Sequence, residues 1–115
     1  MVLCLVCSIS ARAEMTDING KITAVIYGEF DPYLMGDACI VQIQKENGAK
    51  IGLVTSFEDC DDNAGEYHMG RQVSIAKETL SYVKSRKKEA LLNSILPSHD
   101  FFVVPAGTIE NGLAD

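Results

Sequence analysis

The sequence Asn47-Gly48 is the strongest hairpin signal in the chain. Both residue types tolerate the positive φ that a two-residue type I′ turn requires. Segments rich in alternating and β-branched apolar residues flank this pair on both sides. The signal therefore predicts an antiparallel pair of strands at residues 38–45 and 50–57.

A two-residue turn also predicts the register of this pair. With Glu46 opposite Ala49, Cys39 lies opposite Ser56. In this register several apolar residues oppose polar ones, so neither face of the hairpin is purely apolar. A bulge at Gly52 would exchange the two faces, as in small curled barrels.

Four further segments complete the predicted secondary structure. Alternating, β-branched residues predict a strand at 20–28, and a shorter alternation predicts another at 70–76. Apolar residues recur at helical spacing over 82–96, and Pro97 follows as a stop signal. A short apolar run at 101–105 suits a final buried strand.

These elements indicate a mainly β domain with one C-terminal helix, an α+β fold over residues 20–105. The order of elements resembles the small OB-type five-stranded barrel, which we favour, although the helix of that fold normally lies between its third and fourth strands. The alternative is an open antiparallel sheet packed by one helix. Residues 106–115 are expected to form a loose tail.

The first thirteen residues read as a secretory signal peptide. Residues 1–10 are uncharged and apolar apart from two serines, and Ala11 and Ala13 provide the small residues of a cleavage site. The usual basic segment is missing, so the signal is apparently truncated. We expect export to the periplasm or the extracellular space, with residues 14–19 leading into the domain. The alternative is a buried N-terminal strand or short helix.

Removal of that segment leaves two cysteines, Cys39 and Cys60. Disulfides persist in exported proteins, and a loop that doubles back could bring the two Cα atoms within bonding range. We therefore predict a Cys39–Cys60 disulfide, which would close about 20 residues and stabilise the fold by about 3 kcal/mol. Free thiols or metal ligation are the alternatives.

The charged residues argue against a nucleic-acid partner. The chain has 10 Lys and Arg against 16 Asp and Glu, a formal net charge of -6, which opposes the approach of phosphates. No apolar run is long enough to span a bilayer. The basic residues nevertheless cluster before and within the predicted helix, where they form a candidate docking patch or an ordinary solvated helix face. This basic patch consists of Lys84, Arg86, Lys87 and Lys88.

The segment 57–70 is acidic and contains no lysine or arginine. Its carboxylate and amide side chains resemble the start of an EF-hand loop, in which oxygen ligands hold Ca²⁺. The pattern then departs from that loop, because Ala64 stands where glycine is needed and Gly70 where the bidentate glutamate should be. The sequence predicts at most a weak Ca²⁺ site, or else a solvated loop. Its candidate ligands are Asp59, Asp61, Asp62 and Asn63.

No spacing typical of a zinc site, a nucleophile with its base or a phosphate-binding loop occurs in the sequence. We therefore expect a small exported β-barrel, stabilised by a disulfide, that binds a protein or a small molecule without catalysis and without a cofactor. One alternative is a small secreted metal-dependent hydrolase that uses the acidic segment or His68. The other is an OB-like nucleic-acid-binding module that uses the basic patch.

Overall fold

The structure is a computed structural model that describes residues 15–27, 38–56 and 69–114. The strands in these ranges are β1 (Ile18–Tyr27), β2 (Ala38–Lys45), β3 (Lys50–Ser56), β4 (Gln72–Ile75), β5 (Ser81–Tyr82) and β6 (Asp100–Val103). The helices are α1 (Arg86–Ile95) and α2 (Thr108–Gly112), with a 3-10 turn at Lys77–Thr79. Neither α-helix in these ranges is long and apolar enough to cross a membrane.

The six strands form one mixed sheet in the order β4-β1-β2-β3-β6-β5. All neighbours are antiparallel except β3 and β6, which are parallel; the chain makes the long crossover that a parallel pair requires through β4, β5 and α1. The sheet curls into an open half-barrel. The prediction of a mainly β domain is confirmed. The sheet has six strands where the favoured barrel has five. It is open, as in the alternative, but its pairing is mixed rather than purely antiparallel.

The C-terminal residues explain why β4 stays an edge of the half-barrel. Ile109, in α2, is completely buried in the core. Leu113 then forms a bridge with Val73, and the Ala114 amide donates to the Gln72 carbonyl at 3.0 Å. The outer edge of β4 is therefore paired, and the other edge of the sheet, β5, has two residues. We expected a loose tail here, but one buried isoleucine among polar residues anchors a packed segment.

The turn between β2 and β3 differs from the predicted one. The Gly48 amide donates to the Lys45 carbonyl, and the Lys45 amide donates to the Ala49 carbonyl, both at 2.9 Å. Gly48 has a φ of 89°, and no other residue of this turn has a positive φ. This is a three-residue loop that ends in a glycine bulge, not a type I′ turn. The predicted register is consequently wrong by one residue, and Cys39 faces Thr55.

The one-residue shift aligns apolar residues with apolar residues on both faces of the hairpin. Val41 faces Leu53 on one side of the sheet, and Ile40 faces Val54 on the other. All four side chains are buried. A register slip of one residue moves every side chain of a strand to the opposite face, so burial on both faces strongly specifies this pairing.

The bulge in the sheet lies in β1 and not at Gly52. Gly52 pairs regularly with Gln42, which contradicts the expected face exchange at this position. The register between β1 and β2 shifts between Ile22 and Ala24, which leaves Thr23 as the extra residue. The bulge turns the Thr23 hydroxyl toward Gln42, on the same side of the sheet as Ile40 and Val54.

Apolar side chains are buried against both faces of the sheet. We call the face with the larger cluster the inner face; its buried residues are Ile18, Ile22, Cys39, Val41, Ile43, Ile51, Leu53, Val73, Ile75, Leu80, Phe102, Val104 and Ile109. The cluster on the outer face consists of Ile40, Val54, Val83, Leu92 and Phe101. Ile18 is buried in the inner cluster, so the last residues of the segment 14–19, which we expected only to lead into the domain, are part of the fold.

Helix α1 covers part of the outer face. The Ser85 hydroxyl caps its N-terminus by accepting a hydrogen bond from the Lys88 amide at 3.3 Å. Leu92 is completely buried against the sheet. The helix was predicted over 82–96, but it begins later because Ser81–Tyr82 extends the sheet as β5.

The close contact between Gly52 and Phe101 generates a stability prediction. A Cβ atom on Gly52 would lie 2.6 Å from Phe101 Cε1, and Phe101 is buried between the sheet and α1. We expect Gly52→Ala to lower the free energy of unfolding by about 1–3 kcal/mol, because the ring must move. Gly48→Asn is the matched control, since its Cβ meets no atom within 4 Å and asparagine tolerates positive φ. Equal stabilities of the two variants in chemical denaturation would contradict this packing.

Candidate functional site

The outer face of the sheet is divided between an apolar and a polar area. Helix α1 covers the apolar area through Leu92, which packs with Ile40 and Val54. Beyond the helix, β4, β1 and β2 present polar side chains to solvent. We call this area the outer polar strip; it consists of Asn19, Lys21, Thr23, Gln42, Gln44, Lys50, Gln72, Ser74 and His99.

A hydrogen-bonded network lies where the strip meets the apolar area. The Thr23 hydroxyl donates to Gln42 Oε1 at 3.1 Å, and Gln42 Nε2 contacts His99 Nε2. His99 Nδ1 lies 2.9 Å from the Pro97 carbonyl, which can only accept. The imidazole therefore carries its proton on Nδ1, and Nε2 accepts from the Gln42 amide.

The backbone and a neighbouring ring hold His99 in this position. Ser98 has a φ of 67° and is the only non-glycine residue with a positive φ within the described ranges. This strained residue turns the chain between α1 and β6 so that the imidazole faces Gln42. The imidazole also stacks on Phe101 with a centroid distance of 6.2 Å and an interplanar angle of 28°.

A row of four exposed side chains crosses the strip from strand to strand. This cross-strand row consists of Gln72 on β4, Lys21 on β1, Gln44 on β2 and Lys50 on β3, each directly opposite the next. In the described part of the chain, none of the four side chains has a hydrogen bond or an ion pair. The adjacent Ser74 and Asn19, in contrast, bond each other at 2.6 Å. The row is thus the part of the strip whose donors, acceptors and charges are free.

A shallow groove of about 240 Å³ runs along part of this row. It is lined by Gly20, Lys21, Thr23, Gln44, Lys45, Glu46 and Gln72. Its lining includes two lysines, two glutamines and one glutamate, so it can bind a polar ligand through hydrogen bonds and charge. Among residues 15–27, 38–56 and 69–114 there is no cluster of His, Cys, Asp and Glu side chains that could hold a metal ion.

Cys39 lies in the inner core, at the end of the β2–β3 hairpin farthest from its turn. Its side chain is completely buried and is disulfide-bonded. Cys39 is the only cysteine in the described ranges, so no disulfide joins two described cysteines. The pairing with Cys60 stays a prediction.

The candidate calcium ligands lie outside the described residues. They are Asp59, Asp61, Asp62 and Asn63, and His68 lies in the same segment. The Ca²⁺ site therefore stays a prediction, as does the assignment of residues 1–13 to a signal peptide.

The structure brings the basic patch together over a single helical turn. Lys84 precedes the N-cap of α1, and Arg86, Lys87 and Lys88 are its first three residues. Lys84, Arg86 and Lys87 are exposed, whereas Lys88 is half-buried. Cations are disfavoured at the positive end of the helix dipole, so this placement gives the patch no support from its helix.

The outer polar strip was missed by reasoning from the sequence. The alternation of Gln42 and Gln44 with buried residues does indicate that both face the same way. The wrong hairpin register concealed that Lys50 lies beside Gln44. Nothing in the sequence indicates that the bulge at Thr23 and the turn before His99 would bring those two residues to Gln42.

The hydrogen-bonded network predicts which nitrogen of His99 carries the proton. In alkaline buffer, where imidazoles are neutral, ¹⁵N NMR should show His99 protonated on Nδ1. The Gln42→Leu variant removes the donor to Nε2 but keeps the Pro97 carbonyl, so its His99 should stay protonated on Nδ1 while the Nε2 resonance shifts on loss of its hydrogen bond. A proton on Nε2 in the unaltered protein would contradict the network.

Comparison with known proteins identifies no relative from which a role could be transferred. No protein-family model matches the chain, and neither a curated protein nor a solved structure shows significant similarity to it. The functional conclusions therefore depend on the geometry of the outer polar strip.

Proposed function

We propose that the chain is a small exported binding module, stabilised by a disulfide and without catalytic activity. Its ligand face is the outer polar strip. The observation that carries this proposal is the cross-strand row. Its four side chains project from neighbouring strands of one sheet, which keeps their spacing constant, and their polar groups are free to bind a ligand.

The contacts of the hydrogen-bonded network favour binding over catalysis. A general base must reach a proton of its substrate, and a nucleophile needs an adjacent base. Both nitrogens of His99 already contact groups of the protein, Pro97 and Gln42. The Thr23 hydroxyl is bonded to the Gln42 amide, which is not a base.

Two further features support the proposal of an exported module. The apolar segment 1–13 has the composition of a signal peptide. Cys39 is disulfide-bonded, and such bonds persist in exported proteins. We propose Cys60 as its partner, because Cys60 follows the end of β3 at Ser56 by four residues and β3 is paired with β2 there.

We also propose that the half-barrel is OB-like. Strands β1, β2 and β3 form a continuous meander, and β4 returns to pair with β1 on its other side. This order suits the first four strands of a small Greek-key barrel. The likeness concerns strand order and carries no ligand with it.

Site-specific photocrosslinking in the exported fraction tests the proposed ligand face. A photoreactive residue at Gln44, in the cross-strand row, should capture a partner in a defined adduct. The same residue at Asn93, exposed on α1, is the matched control and should capture far less. Equal capture at both positions, or none at either, would overturn the assignment of the ligand face.

The same preparation tests the covalent part of the proposal by intact-mass measurement. We expect a chain that begins at Glu14 and gains about two daltons on reduction, from one disulfide. A retained N-terminus together with free Cys39 and Cys60 thiols would contradict export. Stoichiometric bound metal together with hydrolytic turnover would favour the metal-dependent hydrolase instead.

A further inference from the structure

We infer that the cross-strand row binds an acidic peptide segment in the extended polyproline II conformation, with carboxylates three residues apart. The inference rests on the proposed function, because it takes the outer polar strip as the ligand face. It adds the chemical class and the conformation of the partner.

The spacing of the two lysines carries this inference. Lys21 on β1 and Lys50 on β3 are separated by one intervening strand residue, Gln44. Neighbouring strands lie about 4.8 Å apart, so the two lysine backbones are about 9.6 Å apart. A polyproline II helix rises about 3.1 Å per residue with three residues per turn, so every third side chain shares a face at about 9.3 Å. Carboxylates at that period therefore match the spacing of the two lysine positions, and each lysine side chain can reach one of them.

The two glutamines of the row suit the backbone of such a peptide. A polyproline II segment has no internal hydrogen bonds, so its carbonyl groups and any amide protons remain available. Gln44 lies between the two lysines, and Gln72 lies beyond Lys21. Each glutamine amide can donate to a peptide carbonyl and accept from a peptide N–H. The row thus alternates groups for the side chains of the ligand with groups for its backbone.

The charges near the row favour an anionic partner. The row itself contains two lysines and no acidic residue. Lys45 and Glu46, which also line the groove, carry opposite charges, and neither Lys21 nor Lys50 forms an ion pair with a described residue. The balance near the row is therefore positive.

An acidic peptide fits the row better than single-stranded nucleic acid does. Proteins that bind single strands stack the bases on exposed aromatic side chains. The row contains no aromatic residue, and the nearby ring of Phe101 is only 8% exposed. A peptide needs charge and amide contacts alone, and the row provides both.

Peptide titrations of the ¹⁵N-labelled full-length protein, with its disulfide intact, test this inference. The first probe is a peptide of repeated Asp-Pro-Pro units, and the second has the same composition with its aspartates contiguous. We expect the repeat to shift the side-chain amide signals of Gln44 and Gln72 and to bind more tightly than its isomer. Binding should weaken at higher salt, because exposed charges are screened within about 10 Å at 0.1 M ionic strength.

Charge-matched variants separate the row from the overall charge. The double variant Lys21→Gln with Lys50→Gln should weaken binding of the repeat by about threefold to tenfold, because each exposed pair contributes little. The control, Lys77→Glu, lowers the net charge by the same two units at one exposed position outside the row and should bind as the unaltered protein does. Unchanged amide spectra elsewhere will verify that both variants are folded.

Equal binding of the two peptides would overturn the inference. So would equal losses in the double variant and its control, or tighter binding of an oligothymidylate than of the repeat. If neither peptide binds while the photocrosslinker at Gln44 still captures a partner, the inference fails and the proposed ligand face stands. If the crosslinker also captures nothing, the proposed function fails with it.

Discussion

The turn at Lys45–Ala49 is the constraint on which the rest of the structure depends. Its glycine bulge sets the β2–β3 register, and that register decides which side chains of both strands face inward. With this pairing each face of the central hairpin buries apolar residues against apolar residues. The other register would place residues such as Ile40 opposite the polar Thr55. One hydrogen-bonded loop thus specifies two cores.

The division of the outer face follows from that register. Helix α1 packs where the outward residues of β2 and β3 are apolar, and it stops where they become polar at Gln42 and Gln44. Gly52 marks the boundary, because its missing side chain admits the Phe101 ring onto the sheet. The ring in turn supports His99, which connects the buried area with the exposed strip. The cross-strand row is therefore exposed because the outward residues of β2 and β3 change from apolar to polar along the two strands.

Local patterns predicted the elements well and their assembly less well. The bounds of β2 agree with the expectation, and those of β1, β3, β4 and β6 lie within two residues of it, since alternation and turn residues are local signals. The predicted turn type was wrong because Asn47-Gly48 suits both a two-residue turn and a three-residue bulged loop, so this dipeptide alone leaves the register open. The packing of the tail was not predicted because its two large apolar residues, Ile109 and Leu113, stand among polar and small residues and form no recognisable pattern. The candidate site was not predicted, because the position of His99 depends on the positive φ of Ser98, and nothing in the sequence indicates that φ.

Methyl NOE contacts across the β2–β3 hairpin test the central claim most directly, because the two registers predict different partners for Val41. The account predicts contacts between the methyl groups of Val41 and Leu53 on the inner face, together with contacts between Ile40 and Val54 on the outer face. It also predicts no methyl contact between Val41 and Val54, which lie on opposite sides of the sheet. Strong contacts between Val41 and Val54 would contradict it, since they require the other register and with it a different outer face.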